Sequence, residues 1–160
     1  MGLQSVEAQM KFSDVMFKKS SKKQILLGDD DPNVVKMTKL RLEHAGYEVV
    51  VASDGEEVLK QIAANGKIDL ILLDLKMPKL DGLEVCKRLK ANPATATIPI
   101  IIFTASETFV ERLANLCCEL GATDCIEKPF RSQELLEKIG KVMENERLVH
   151  ERKAGEKLRV

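Results

Sequence analysis

The sequence predicts a doubly wound α/β domain on a five-stranded parallel sheet. Three observations carry this. Short, near-continuous apolar runs recur at 24–28, 48–52, 68–73, 99–103 and 123–127, the pattern of strands covered on both faces. Segments with helical spacing fall between these runs, and parallel strands need such right-handed crossovers. The chain has 160 residues, which suits one domain with tails and is enough for one sizeable core.

The first run, Ile25-Leu26-Leu27-Gly28, ends in Asp29-Asp30-Asp31. A helix over Asn33–Ala45 follows, with Val34, Met37 and Leu40 on neighbouring turns, Arg41 or Leu42 beside them, and Gly46 at its C-cap. Asp54 opens a second helix with Val58, Leu59 and Ile62 on its apolar face, ending near Asn65-Gly66. Leu70-Ile71-Leu72-Leu73 runs into Asp74. Asp81-Gly82 opens a third helix carrying Leu83, Val85, Cys86 and Leu89, which stops before Pro93. Ile100-Ile101-Ile102-Phe103 runs into Thr104, and a fourth helix over Ser106–Leu120 uses Val110, Leu113, Leu116 and Cys117 before Gly121. Cys125-Ile126-Glu127 runs into Lys128-Pro129, where a cis bond is plausible. The fifth helix spans Ser132 to about Asn145 with Leu135, Leu136, Ile139 and Val142 inward and Ser132 as its cap.

The domain is placed at residues 23–145. Residues 1–22 read as a tail or linker, although Val6, Met10 and Phe17 can share a helical face and Lys18, Lys19, Lys22 and Lys23 form a small basic cluster. Residues 146–160 read as a helix extension or tail, with Val149 continuing a seam that Glu146 spoils.

Composition narrows the function. Lys+Arg and Asp+Glu are 25 each, so zero net charge offers nothing to nucleic acid or a membrane surface. No stretch approaches the length of a membrane-spanning helix, and residues 1–24 lack a hydrophobic signal core. Val6 spoils a myristoylation reading of Gly2. Cys86, Cys117, Cys118 and Cys125 form no C-x-x-C pair, and His44 and His150 are the only histidines. Buried reduced thiols in a cytoplasmic protein are expected, and no zinc site.

In open parallel sheets, ligands bind outside the carboxyl ends of the strands. There the chain places an acidic cluster, a lone Asp, a hydroxyl and a lysine. Adjacent carboxylates repel by about 4 kcal/mol at ~4 Å and an effective dielectric near 20. Asp31-Pro32 is explained as a helix cap. Asp29 and Asp30 then suit Mg²⁺, which takes one or two carboxylates plus a phosphate. Asp74 can act as a nucleophile forming an acyl phosphate. Pro78 forbids an immediate helix and keeps a loop over that strand end. Lys128 suits a phosphate as a point charge, and Ala105 leaves room beside the Thr104 hydroxyl.

These segments, with Leu72-Leu73-Asp74-Leu75-Lys76-Met77-Pro78-Lys79-Leu80-Asp81-Gly82, Thr104-Ala105 and Lys128-Pro129-Phe130, resemble the bacterial response-regulator receiver domain of two-component signalling. The resemblance covers nearly all of residues 23–145. It implies a flavodoxin-like receiver fold with strand order 2-1-3-4-5. It implies Asp74 as phosphoryl acceptor, aided by Thr104 and Lys128. It implies a Mg²⁺ site from Asp30 directly, Asp29 through water, Asp74, and the Lys76 carbonyl. The implied donor is a phosphohistidine on a sensor histidine kinase or phosphotransfer protein, and the output is through protein contacts with an unidentified partner. A weak homodimer is compatible with this. Lys76 and Ser106 stand where the family tunes dephosphorylation. The departure is Cys125, where family members often carry Tyr or Phe; a thiol cannot fill or vacate the volume of a ring. Muted output through the fourth helix, fifth strand and fifth helix is the expectation.

A signalling module rather than an enzyme is therefore expected. A dehalogenase-like phosphatase needs a second Asp two residues after the nucleophile, where Lys76 stands. A pseudo-receiver would lack one of Asp30, Asp74, Thr104 or Lys128, and all are present. A receiver fragment of a larger regulator or hybrid kinase remains the alternative, because no output domain is visible.

Overall fold

The computed structural model describes residues 21–105, 115 and 117–157. Its elements are β1 (Gln24–Gly28), α1 (Pro32–His44), β2 (Glu48–Ala52), α2 (Gly55–Ala64), β3 (Leu70–Leu73), α3 (Gly82–Ala91), β4 (Ile100–Thr104), β5 (Asp124–Glu127) and α4 (Ser132–Lys157). The strands form one five-stranded sheet ordered β2-β1-β3-β4-β5, with every pairing parallel. That is the fold class and order expected. The strands begin up to two residues later than the apolar runs, at Leu70, Ile100 and Asp124, and Thr104 is the last residue of β4 rather than its follower.

The runs are apolar throughout because both sheet faces are covered. Leu26, Ile71, Leu73, Ile100 and Ile102 face a core shared with Val58, Val85, Cys86 and Leu89. Ile25, Leu27, Leu70, Leu72, Ile101 and Phe103 face the opposite core with Leu42, Leu135, Ile139 and Val142. All four residues of β3 are fully buried. Truncating any one of its leucines to alanine is expected to cost about 2–5 kcal/mol.

Helix starts are set by short acidic side chains. Asp31 caps α1 by accepting from the Asn33 and Val34 N–H groups at 2.8 and 3.3 Å, and Pro32 occupies the first turn. Asp54 caps α2 through Glu57 N–H at 2.8 Å, and Asp81 caps α3 through Glu84 N–H at 2.8 Å. Gly46 and Gly121 take φ +94° and +71°, left-handed turns that glycine adopts without steric cost.

Two helical expectations need correction. The inward stripe of α1 is Thr38 and Leu42, whereas Met37 and Leu40 are each 49% exposed. The Thr38 methyl serves a face that a count of apolar residues alone assigns one step away. Ser132 lies inside α4, not before it; Leu135 N–H instead donates to the Arg131 carbonyl at 3.2 Å. The helix runs past Asn145 to Lys157, so residues 146–157 are the helix extension rather than a tail. Arg147 joins Glu144 and Glu151, both at 2.7 Å, and such i,i+3 and i,i+4 pairs sustain a polar helix. Leu148 and Val149 are exposed on it. The cysteines are free, but Cys118 is exposed and Cys125 only half-buried. Of the fourth predicted helix, residues 117–120 are helical. Its earlier part, including Ser106, and the N-terminal residues Val6, Met10 and Phe17 lie outside the described residues.

Candidate functional site

Register brings the site together. Gly28 pairs with Leu73 across β1 and β3 and with Ala52 across β1 and β2. The next residues, Asp29 and Asp74, therefore leave the sheet side by side. Backbone bonds continue this alignment: Asp29 N–H donates to the Ala52 carbonyl at 3.1 Å and Asp74 N–H to the Gly28 carbonyl at 2.9 Å. On the other side, Lys128 N–H donates to the Thr104 carbonyl at 2.9 Å, so β5 delivers its lysine beside β4.

Asp29, Asp30 and Asp74 each offer a carboxylate oxygen, and these oxygens lie within 4.8 Å of one another. Asp29 and Asp74 are buried, at 1% and 5% exposure, while Asp30 is exposed. Asp29 Oδ1 accepts from Asp31 N–H at 2.8 Å. Its Oδ2 accepts from Lys128 Nζ at 2.5 Å, and the same ammonium stands 3.5 Å from Asp74 Oδ2. Lys76 N–H points at Asp74 Oδ1 from 3.4 Å. Burial raises the Asp74 carboxyl above the usual range, Lys128 opposes the rise, and Asp29 adds to it. The Asp74 carboxylate thus sits where its charge is only partly compensated.

Of the three carboxylates, Asp29 and Asp74 share the Lys128 ammonium, and oxygen-only donors favour a hard divalent cation. The donor set fits Mg²⁺ in spacing and in charge. The site opens to a cleft of about 710 Å³, whose walls include Arg41 and Met37 of α1, Lys76, Ala105 and Phe130. Asp74 and Lys128 both line it.

The expected residues do not all enter on equal terms. Asp29, Asp30, Asp74, Lys76 and Lys128 converge. Thr104 is buried at 2% exposure, and its documented contact with the site is through its backbone carbonyl. Sequence reading missed the aromatic floor. Lys128 Nζ stands 4.5 Å over the Phe103 ring, and Phe103 meets Phe130 edge-on at 6.1 Å between centroids. A cation–π contact of this kind steadies an ammonium at about 0.5–2 kcal/mol. The signal was an aromatic directly before Thr104 and another two residues after Lys128.

The loop over the site was also underread. Lys79 adopts φ 65° and its Nζ bonds Asp54 Oδ2 at 2.7 Å. A Cβ on Gly55 would lie 2.0 Å from the Leu80 carbonyl oxygen, and one on Gly82 would lie 2.1 Å from that of Asp74. Both glycines are therefore required by the close approach of this loop.

Residues 25–140 match the family described as the response regulator receiver domain. The chain is 41% identical over 121 residues to the alkaline phosphatase synthesis transcriptional regulatory protein PhoP of Bacillus subtilis, covering 76% of this chain and 48% of PhoP. It thus spans about half the length of the curated relatives it matches. Among solved structures, a CheY-like receiver domain protein from Methanospirillum hungatei aligns with TM-score 0.71 and 31% identity, covering 79% of this chain and 98% of the other. The chemotaxis response regulator CheY4 of Vibrio cholerae aligns with TM-score 0.69 and 30% identity, covering 76% and 99%. Among the described residues no helix is long and apolar enough to cross a membrane. The chain belongs to the response-regulator receiver domain family, signalling domains whose general function is to accept a phosphoryl group.

Proposed function

We propose that Asp74 is the phosphoryl acceptor of this chain. One observation carries the reading: Asp74 is a buried strand-end carboxylate with Lys128 Nζ 3.5 Å from Oδ2 and two further carboxylates within 4.8 Å. Asp74 Oδ attacks the phosphorus of the donor, an N–P or O–P bond breaks, and an acyl phosphate forms on the carboxylate. Lys128 neutralises one oxygen of the incoming group, and its competing bond to Asp29 is relieved as that happens. Lys76 N–H supplies a further donor, and the Thr104 hydroxyl meets the phosphoryl group once it is in place. Asp30 directly, Asp29 through water, Asp74 and the Lys76 carbonyl would hold Mg²⁺, which supplies charge neutralisation of the transferring group.

The donor in this reading is a phosphohistidine on a sensor histidine kinase or a phosphotransfer protein in the cytoplasm, and the readout is a protein contact. Cys125 supports a muted version of that readout. It is half-buried and packs against the core that holds Cys117, whose thiol is pushed up to about 12 by burial and then by Cys125 beside it. Two small thiols fill this place, with no ring to move. Amide spectra with and without a phosphoryl mimic should show small changes around β5 and the start of α4; a large rearrangement there would overturn this part.

The acceptor reading is tested with Mg²⁺ and a small acyl-phosphate donor. A base-labile phosphoryl adduct is expected that requires Mg²⁺ and is lost in D30N. An adduct that forms equally well in chelator would contradict the metal assignment.

A further inference from the structure

We propose that the Lys79–Asp54 ion pair is a positioning latch, holding the β3–α3 loop so that the Lys76 backbone faces Asp74. The inference rests on Asp74 being the acceptor. The loop from Leu75 to Asp81 doubles back on itself, with Gly82 N–H donating to the Leu75 carbonyl at 2.9 Å. Its two feet stand on Asp74: Lys76 N–H faces Oδ1 from 3.4 Å, and Gly82 packs against the Asp74 carbonyl. Its tip reaches away from the sheet axis to α2, where the Leu80 carbonyl rests on Gly55.

The tip is held in a disfavoured state. Lys79 has φ 65°, a left-handed conformation in which the Cβ crowds the following carbonyl oxygen. Outliers of this kind persist where surrounding contacts enforce them. The contact available here is the 2.7 Å bond to Asp54. It differs from an ordinary surface pair, since the Asp54 side chain is only 9% exposed and its two oxygens have separate duties. Oδ1 caps α2 at Glu57 N–H, and Oδ2 takes the lysine. The bond to Lys79 and then the cap hold the Asp54 carboxyl below its ordinary range, and the same bond raises Lys79. Glu56 and Glu57 also face the ammonium and favour its charge. The rigid start of α2 thereby becomes an anchor for the acceptor loop.

K79M, K79R, D54N and the K79M/D54N double variant test this, with R88M, which breaks the exposed Arg88–Glu84 pair of α3, as control. Asn at position 54 keeps an oxygen for the cap and removes the charge. Three readouts apply: the rate of Asp74 phosphorylation by an acyl phosphate, the Mg²⁺ affinity by calorimetry, and the Lys76 amide shift. K79M and D54N are expected to slow phosphorylation about 3- to 10-fold, in line with the cost of small misplacements near reacting groups. Both should move the Lys76 amide; the double variant should be no slower than either single one, and K79R should recover the wild-type rate within about twofold. Wild-type rates in K79M with an unmoved Lys76 amide overturn the latch, as do multiplicative effects in the double variant. If D54N unfolds, K79M and its K79R rescue decide, because Lys79 is 59% exposed and caps nothing. Failure of the wild-type protein itself to accept a phosphoryl group overturns the acceptor assignment instead, and the latch with it.

Discussion

Replacing the Asp74 carboxylate should make the metal-free protein more stable, not less. With oxygens lying within 4.8 Å of one another, each carboxylate repels Asp74 by about 3.5 kcal/mol or more at an effective dielectric near 20. Lys128 at 3.5 Å returns about 4.7 kcal/mol on the same footing. The lysine thus offsets one repulsion, leaving part of the other and the burial of the charge. Asp30 is exposed, so solvent weakens its share. D74N, which keeps the shape, is expected to stabilise the fold by about 1–3 kcal/mol at neutral pH. At about 2–4 °C per kcal/mol for a chain of this size, that is roughly 2–12 °C in Tm. The pH dependence follows from the raised native pKa of Asp74. Below the unfolded-state value, Asp74 is protonated in both states and the variant gains nothing. As pH rises from there through the higher native value, the unfolded chain releases its proton first, the wild type loses stability relative to D74N, and the gain reaches its plateau. Thermal melts of both proteins in chelator across pH 3 to 8 measure this. A variant less stable than wild type at neutral pH, or a gain that persists undiminished at the acid end, would refute the charge reasoning.

K128M leaves Asp29 and Asp74 facing each other uncompensated; it should lose about 3–5 kcal/mol of stability in chelator, bind Mg²⁺ more tightly by calorimetry, and accept phosphoryl groups about 100-fold more slowly. Mg²⁺ at a hundred times its Kd should stabilise the wild type by about 2.7 kcal/mol, and D30N should lose most of that gain in the same melts. G82A forces a Cβ to 2.1 Å from the Asp74 carbonyl oxygen; overpacking of this kind should cost about 1–3 kcal/mol, or roughly 2–12 °C in a melt.

What the sequence makes legible here is what short-range chemistry decides. Uninterrupted runs such as Leu70–Leu73 can only be strands covered twice, and Asp31, Asp54 and Asp81 announce helix starts through their capping oxygens. Once strand order is known, the convergence of Asp29, Asp74 and Lys128 follows. What escaped depends on distant partners. Nothing local marks Lys79, whose conformation is set against Asp54, 25 residues away. The Phe103–Phe130 floor under Lys128 joins two strand ends that only the sheet brings together. Residues beyond Asn145 stayed open between helix extension and tail for a different reason: Glu144, Arg147 and Glu151 hold a polar helix together without an apolar face to signal it.

The most direct test is the location of the phosphoryl group. After reaction with an acyl phosphate and Mg²⁺, reductive trapping of the acyl phosphate and peptide mapping should place a single modification at residue 74, absent from D74N. A stable, fully folded wild-type protein that carries no modification there, or carries it on another residue, would contradict the assignment of Asp74 as acceptor.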